Sequence, residues 1–135
     1  MMTHIALANK HKVIAFEPLK KNFKVLCATI NRNNWNDNLE LFNYALGAKE
    51  GVVSFKLSKD NQGGTAVFET SQSGEENSDY AVEKTLDSFG ITGKDILLKI
   101  DVEGFECKLF EKVEDFFSKN TIHFIWMEWG QIMSR

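Results

Sequence analysis

A chain of 135 residues has room for one domain and is too short for two ordinary ones. Its 43% hydrophobic and 26% charged residues are the balance of a folded globular protein rather than a disordered one. The net charge of −3 argues against a nucleic-acid module, which carries a basic face, and no apolar run approaches the ~18 residues needed to cross a bilayer.

The opening MMTHIALANKHK lacks the apolar core and small-residue cleavage site of a secretory signal, so a cytoplasmic protein is expected. Cys27 and Cys107 each fall inside an expected helix, with no metal-ligand spacing. They read as two reduced, mostly buried thiols.

In chain order, His4 to Lys10 reads as a short helix end. Val13 to Phe16 (VIAF) is a brief apolar strand closed by Glu17-Pro18, because proline lacks an N–H and biases the residue before it away from helical angles. From Leu19 to about Arg32 the spacing predicts a helix. Phe23, Leu26, Cys27 and Ile30 form its apolar stripe, and Lys20, Lys21 and Lys24 its wet face.

The asparagine-rich run Asn31 to Asn38 is a loop. Leu39 to Ala45 reads as a strand, and Val52 to Leu57 as another. Residues 58–79 are polar and glycine-rich, a long loop around a short TAVF strand. Tyr80 to Lys84 is a further strand and Thr85 to Phe89 a helical turn. Asp95 to Ile100 is the clearest buried strand. A helix is expected from Gly104 to about Phe117, with Phe105, Leu109, Phe110, Val113, Phe116 and Phe117 inward. Ile122 to Glu128 is the last strand. This order implies an α/β layer fold with a mostly parallel sheet.

Ligands of open parallel sheets sit beyond the carboxyl ends of the strands. Glu17 follows VIAF, Asn43 and Ala45 follow LELF, Asp101 follows ILLKI, and Glu128 ends the last strand. A parallel sheet would gather all four ends on one rim. An ionised carboxylate only accepts hydrogen bonds, so Glu17 suits the two hydroxyls of a ribose. The alternative for Glu17 is a solvated acid capping a turn.

Asp101, Glu103 and Glu106 bracket a helix start, where acids complement the helix dipole by ~0.3–1 kcal/mol each. Asp101 is the one placed to meet a ligand. The three together would also suit Mg²⁺ or Ca²⁺, but the metal is the weaker reading. Lys99, on the same strand face as Asp101, reads as pairing with an acid or reaching solvent rather than as a base. Asn43 is read either as the border of a flat adenine or as an ordinary turn residue. His4, His11 and His123 show no ligand spacing, and Trp126 and Trp129 read as packing.

Four segments, VIAFEPLKKNFKVL, NYALGAKEGVVSF, TLDSF and LLKIDVEGFE, in this order and spacing, resemble the FkbM family of S-adenosylmethionine-dependent methyltransferases. The resemblance runs from about Ile5 to Glu128, and KIDVEGFE is its most specific piece. It implies a Rossmann-like class I methyltransferase fold with helices on both faces of the sheet. It also implies methyl transfer to a hydroxyl oxygen of a small molecule or glycan. By the same resemblance Glu17 would bind the ribose of S-adenosylmethionine, and Asn43 to Ala45 would border its adenine. Asp101 would lie near the methionine end and the acceptor, where it could take up the acceptor's proton.

The family's core normally opens with a strand ending in a glycine-rich loop, and nothing in MMTHIALANKHK supplies such a turn. The usual closing strands are not found either. The expectation is therefore a single, incomplete methyltransferase domain over residues 1–135, doubtful in activity as it stands. The missing strand would leave its two neighbours with unpaired edges, which invite self-association. Two other readings stand beside it. One is a non-catalytic fragment that folds only with a partner or by self-association. The other is a nicotinamide-dependent oxidoreductase, disfavoured because IDVEGFE is foreign to that fold.

Overall fold

The computed structural model describes residues 2–57, 65–69, 78–102 and 106–127. It is a mixed α/β structure of two compact units, Met1–Ala45 and Leu46–Arg135.

The first unit holds α1 (Met2–Ala8), β1 (Val13–Phe16), α2 (Lys20–Arg32) and β2 (Leu39–Phe42). β1 and β2 pair in parallel, with Val13 opposite Leu39 and Phe16 opposite Phe42. A parallel pair needs a crossover, and α2 supplies it, so β1-α2-β2 is one βαβ unit. Two strands alone are marginal in water and need a covering layer. Here Leu7 of α1, Ile30 of α2 and Leu39 of β2 are buried together, with Val13, Trp35 and Leu41 packed against them.

The α2 stripe is narrower than its spacing suggests. Ile30 is buried and Phe23 and Cys27 are half-buried, but Leu26 is 38% exposed. No side chain of α2 itself caps its start, and its first turn holds no acid. The Glu17 carboxylate fills that role from outside, its Oε1 accepting from the Leu19 N–H at 2.9 Å.

The strand expected over Leu39 to Ala45 is two strands: β2 stops at Phe42, and β3 (Ala45–Leu46) begins after a break at Asn43-Tyr44. The break is where the chain leaves one sheet for another. β3 belongs to a four-stranded sheet with β4 (Gly51–Leu57), β5 (Thr65–Glu69) and β6 (Ser78–Lys84), in the order β3-β6-β4-β5. β4 runs antiparallel to both β5 and β6. The largest sheet among the described residues is therefore not the mostly parallel one expected.

After a 3-10 turn (Leu86–Phe89), β7 (Asp95–Ile100) pairs in parallel with β8 (Thr121–Met127). The chain between them is not the single helix expected over Gly104 to Phe117. Among the described residues it is α3 (Glu106–Leu109), a 3-10 turn (Phe110–Lys112) and α4 (Glu114–Lys119). Val113, between the last two, has φ −138 and ψ 12, outside helical geometry, and its side chain is buried. α4 then starts afresh under a cap from another segment: Asp87 accepts the N–H groups of Asp115 and Phe116 at 3.1 and 2.7 Å. Packing Val113 inward and capping a second helix start offset the loss of continuous helix.

The second unit's core includes Val53, Phe55, Leu86, Ile100, Leu109, Val113 and Phe116. β7 is less buried than its sequence suggests. Leu97 is 68% exposed, and its register partner Phe124 and the nearby Trp126 are exposed as well. Cys107 is also exposed, against the buried thiol expected, while Cys27 is half-buried.

Candidate functional site

The βαβ connection of the first unit sets Glu17 and Asn43 side by side. Each is the first residue past its strand, and parallel pairing puts the two strand ends at the same edge. The Glu17 N–H continues the ladder by one bond, donating to the Phe42 carbonyl at 3.0 Å. The Asn43 side chain then closes over the turn. Its Nδ2 donates to the Glu17 carbonyl at 2.8 Å and to the Pro18 carbonyl at 3.0 Å. Both residues are half-buried.

Aromatic rings flank this edge. Phe16 and Phe42 stack with centroids 5.5 Å apart, and Phe42 and Tyr44 with centroids 6.4 Å apart. Ala45 is buried.

Asp101 follows β7 in the second unit, at the carboxyl end of that unit's own parallel pair. It is exposed, and its Oδ2 takes the Lys99 ammonium at 2.7 Å. The pairing expected of Lys99 is therefore found, as a surface ion pair of the kind worth ~0–1 kcal/mol. Of the three acids considered for a metal, Glu103 lies outside the described residues and Glu106 is buried on α3. Among the described residues no cluster of three His, Cys, Asp or Glu side chains could hold a metal ion. Glu128, expected on the same rim, lies outside the described residues.

Two structural acids escaped the sequence reading. Asp87, in the TLDSF segment, is the α4 cap described above. Glu83 on β6 is 2% exposed, with Oε2 unpaired among the described residues. Alternation along β6 buries Ala81 and Glu83 while Tyr80 and Val82 face out. Gly47 lets the carboxylate fit, since a Cβ there would come within 2.8 Å of the Glu83 Cδ. No periodicity argument finds such a residue, because the pattern assigns the large apolar side chains to the inside.

A polar groove of about 350 Å³ runs along Gly93, Lys94, Asp95 and Ser118 to Thr121. It lies at the starting ends of β7 and β8, opposite the end where Asp101 stands, so the strand-end rule gives it no cofactor role. Asn120 spans this region: Nδ2 donates to the Ile91 and Phe116 carbonyls at 2.7 and 2.8 Å, and Oδ1 accepts from the Lys94 N–H at 3.0 Å.

No helix among the described residues is long and apolar enough to cross a membrane. No curated protein and no solved structure matches the chain. The family model described as the methyltransferase FkbM domain matches residues 1–135, the whole of the chain. The chain belongs to the FkbM methyltransferase domain family.

Proposed function

We propose that this chain is a cytoplasmic, S-adenosylmethionine-dependent O-methyltransferase domain of Rossmann-like fold, acting on a hydroxyl of a small molecule or glycan. The observation that carries the cofactor reading is the Glu17–Asn43 pair at the carboxyl edge of β1 and β2. The fold reading is supported by two βαβ connections, β1-α2-β2 and β7-α3/α4-β8, the unit from which Rossmann-like sheets are built.

The donor chemistry of the first edge fits the cofactor. Glu17 is half-buried and acceptor-only when ionised, and one of its oxygens is already oriented by the Leu19 N–H. A vicinal diol offers the two donors that such a carboxylate lacks. Asn43 and Ala45 would border the adenine. The Asn43 amide hydrogens are committed to two carbonyls, so its Oδ1 is the side-chain atom left for a ligand.

The cofactor supplies an electrophilic methyl group on a sulfonium. Transfer to an acceptor oxygen is an in-line displacement, so the protein's contribution is chiefly alignment and exclusion of water. Asp101 is the group of this chain assigned to the acceptor's proton. Its carboxylate would take up the proton that the acceptor hydroxyl gives up on methylation. Lys99 holds that carboxylate in place through the ion pair.

The test is calorimetric titration of the full chain with S-adenosylhomocysteine, alongside Glu17→Ala. Micromolar binding by the parent chain and a loss of roughly tenfold or more in the variant are expected, from hydrogen bonds to a charged acceptor worth ~1.5–3 kcal/mol. Equal affinities for the two proteins would remove Glu17 from the cofactor site.

A further inference from the structure

Asn43 follows β2 and begins the passage to the next sheet, yet its side chain is turned back onto the β1–α2 turn. Both of its partners there are main-chain carbonyls, which can only accept. The group facing them must therefore be the NH₂ end of the amide, and both of its hydrogens are used. Asn43 is left with no side-chain donor.

The turn it grips is the one that carries the Glu17 carboxylate. Glu17 is held at three points: its N–H by the Phe42 carbonyl at 3.0 Å, its carbonyl by Asn43 at 2.8 Å, and its Oε1 by the Leu19 N–H at 2.9 Å. Pro18 has a ring-fixed φ, and its carbonyl is the second acceptor of Asn43 at 3.0 Å. Every polar main-chain atom that sets the direction of the Glu17 side chain is thus tied down, and Asn43 supplies two of the ties.

We infer that Asn43 is a positioning residue for Glu17: its amide pins the Glu17–Pro18 turn and so pre-aims the carboxylate at the ribose diol. The inference rests on the S-adenosylmethionine reading above and changes the role of Asn43 within it. Its main work is done through Glu17, and its effect on affinity depends on the diol. Preorganisation of this kind lowers the ordering cost of binding without adding a contact.

The geometry also specifies what position 43 tolerates. Asp would set a carboxylate against two carbonyl oxygens. Ala would leave both carbonyls without their donor. Ser retains one shorter donor.

The test measures binding of S-adenosylhomocysteine and of its 2′,3′-dideoxyribose analogue to the full chain by calorimetry. It compares the parent with Asn43→Ala, Asn43→Ser, Glu17→Ala and the double variant Asn43→Ala/Glu17→Ala, and checks the melting of each. Asn43→Ala is expected to weaken the parent ligand about tenfold, the scale of two lost hydrogen bonds, and the diol-free analogue by less than about twofold. The double variant is expected to bind no more weakly than Glu17→Ala alone, since a positioning residue has nothing left to position. Asn43→Ser should fall between parent and Asn43→Ala, and it carries the same comparison if the alanine variant does not fold.

Equal weakening of both ligands, or losses that multiply in the double variant, would overturn the positioning role while leaving Glu17 as the ribose ligand. A parent chain that binds both ligands equally, and is indifferent to Glu17→Ala, overturns the ribose reading and this inference together.

Discussion

Replacing Asp87 with alanine tests how the second unit holds its broken helix. The first residues of α4 are Glu114, Asp115 and Phe116, and the residue before them, Val113, has no side chain able to cap. A capping side chain ordinarily accepts from the second and third N–H groups of a helix. Asp87 takes those same two groups, at 3.1 Å from Asp115 and 2.7 Å from Phe116, although it comes from a distant turn. Loss of a cap costs ~1 kcal/mol, and loss of a negative charge at a helix start a further ~0.3–1 kcal/mol. The part-buried Phe116 N–H would also lose its acceptor. The sum is about 2 kcal/mol, a sizeable fraction of the ~5–15 kcal/mol that holds an ordinary domain folded. Asp87→Asn keeps one acceptor and loses the charge, so about half that cost is expected. Urea unfolding followed by circular dichroism gives both values, compared at equal slope. Amide exchange should show Asp115 and Phe116 losing protection before the β7–β8 pair. A destabilisation below ~0.5 kcal/mol for Asp87→Ala would refute the capping argument.

Other outcomes follow from single contacts. Gly47→Ala should destabilise the chain by ~1–3 kcal/mol, because a Cβ there meets the buried Glu83 carboxylate; thermal melting checks it. Asn120→Ala removes three side-chain bonds to Ile91, Phe116 and Lys94 and should cost ~2 kcal/mol in the same melt. Lys99→Ala should change stability by no more than ~0.5 kcal/mol, since its pair with Asp101 is exposed. Asp101→Ala should lower kcat/KM for methyl transfer by ~10²–10⁴ while leaving S-adenosylhomocysteine affinity within about threefold, read by radiolabelled methyl transfer and calorimetry.

The strands and helices with strong local signals were legible in the sequence. VIAF is a run of three β-prone residues and an alanine stopped by Glu17-Pro18, and DILLKI is bounded by polar turns; both strands fall where expected. The helix after Pro18 starts within one residue of its expected position. What could not be read is where a partner overrides the local pattern. Helical spacing continues through Val113, but tertiary packing of that residue and the remote Asp87 cap divide the segment. Leu39 to Ala45 alternates as one strand, but the chain changes sheets at Asn43. Tyr80 and Val82 look like core residues and are not, because β6 turns Ala81 and Glu83 inward. At the candidate site, residue types and strand ends pointed to Glu17, Asn43 and Asp101. The bond from Asn43 back to the Glu17 turn joins positions 26 apart, and no local pattern encodes it.

The two parallel pairs have the same span along the chain. Val13 meets Leu39 and Asp95 meets Thr121, each across 26 residues. The entropy of closing a chain segment grows only with the logarithm of its length, so both closures face nearly the same barrier. Both strands of each pair lie within one unit. On a ribosome adding ~5–20 residues per second, every residue of the first pair emerges several seconds before Thr121 is made. The first register is thus selected in the absence of the second pair's strands, which removes the mispairing that two similar parallel units in one chain would otherwise offer each other.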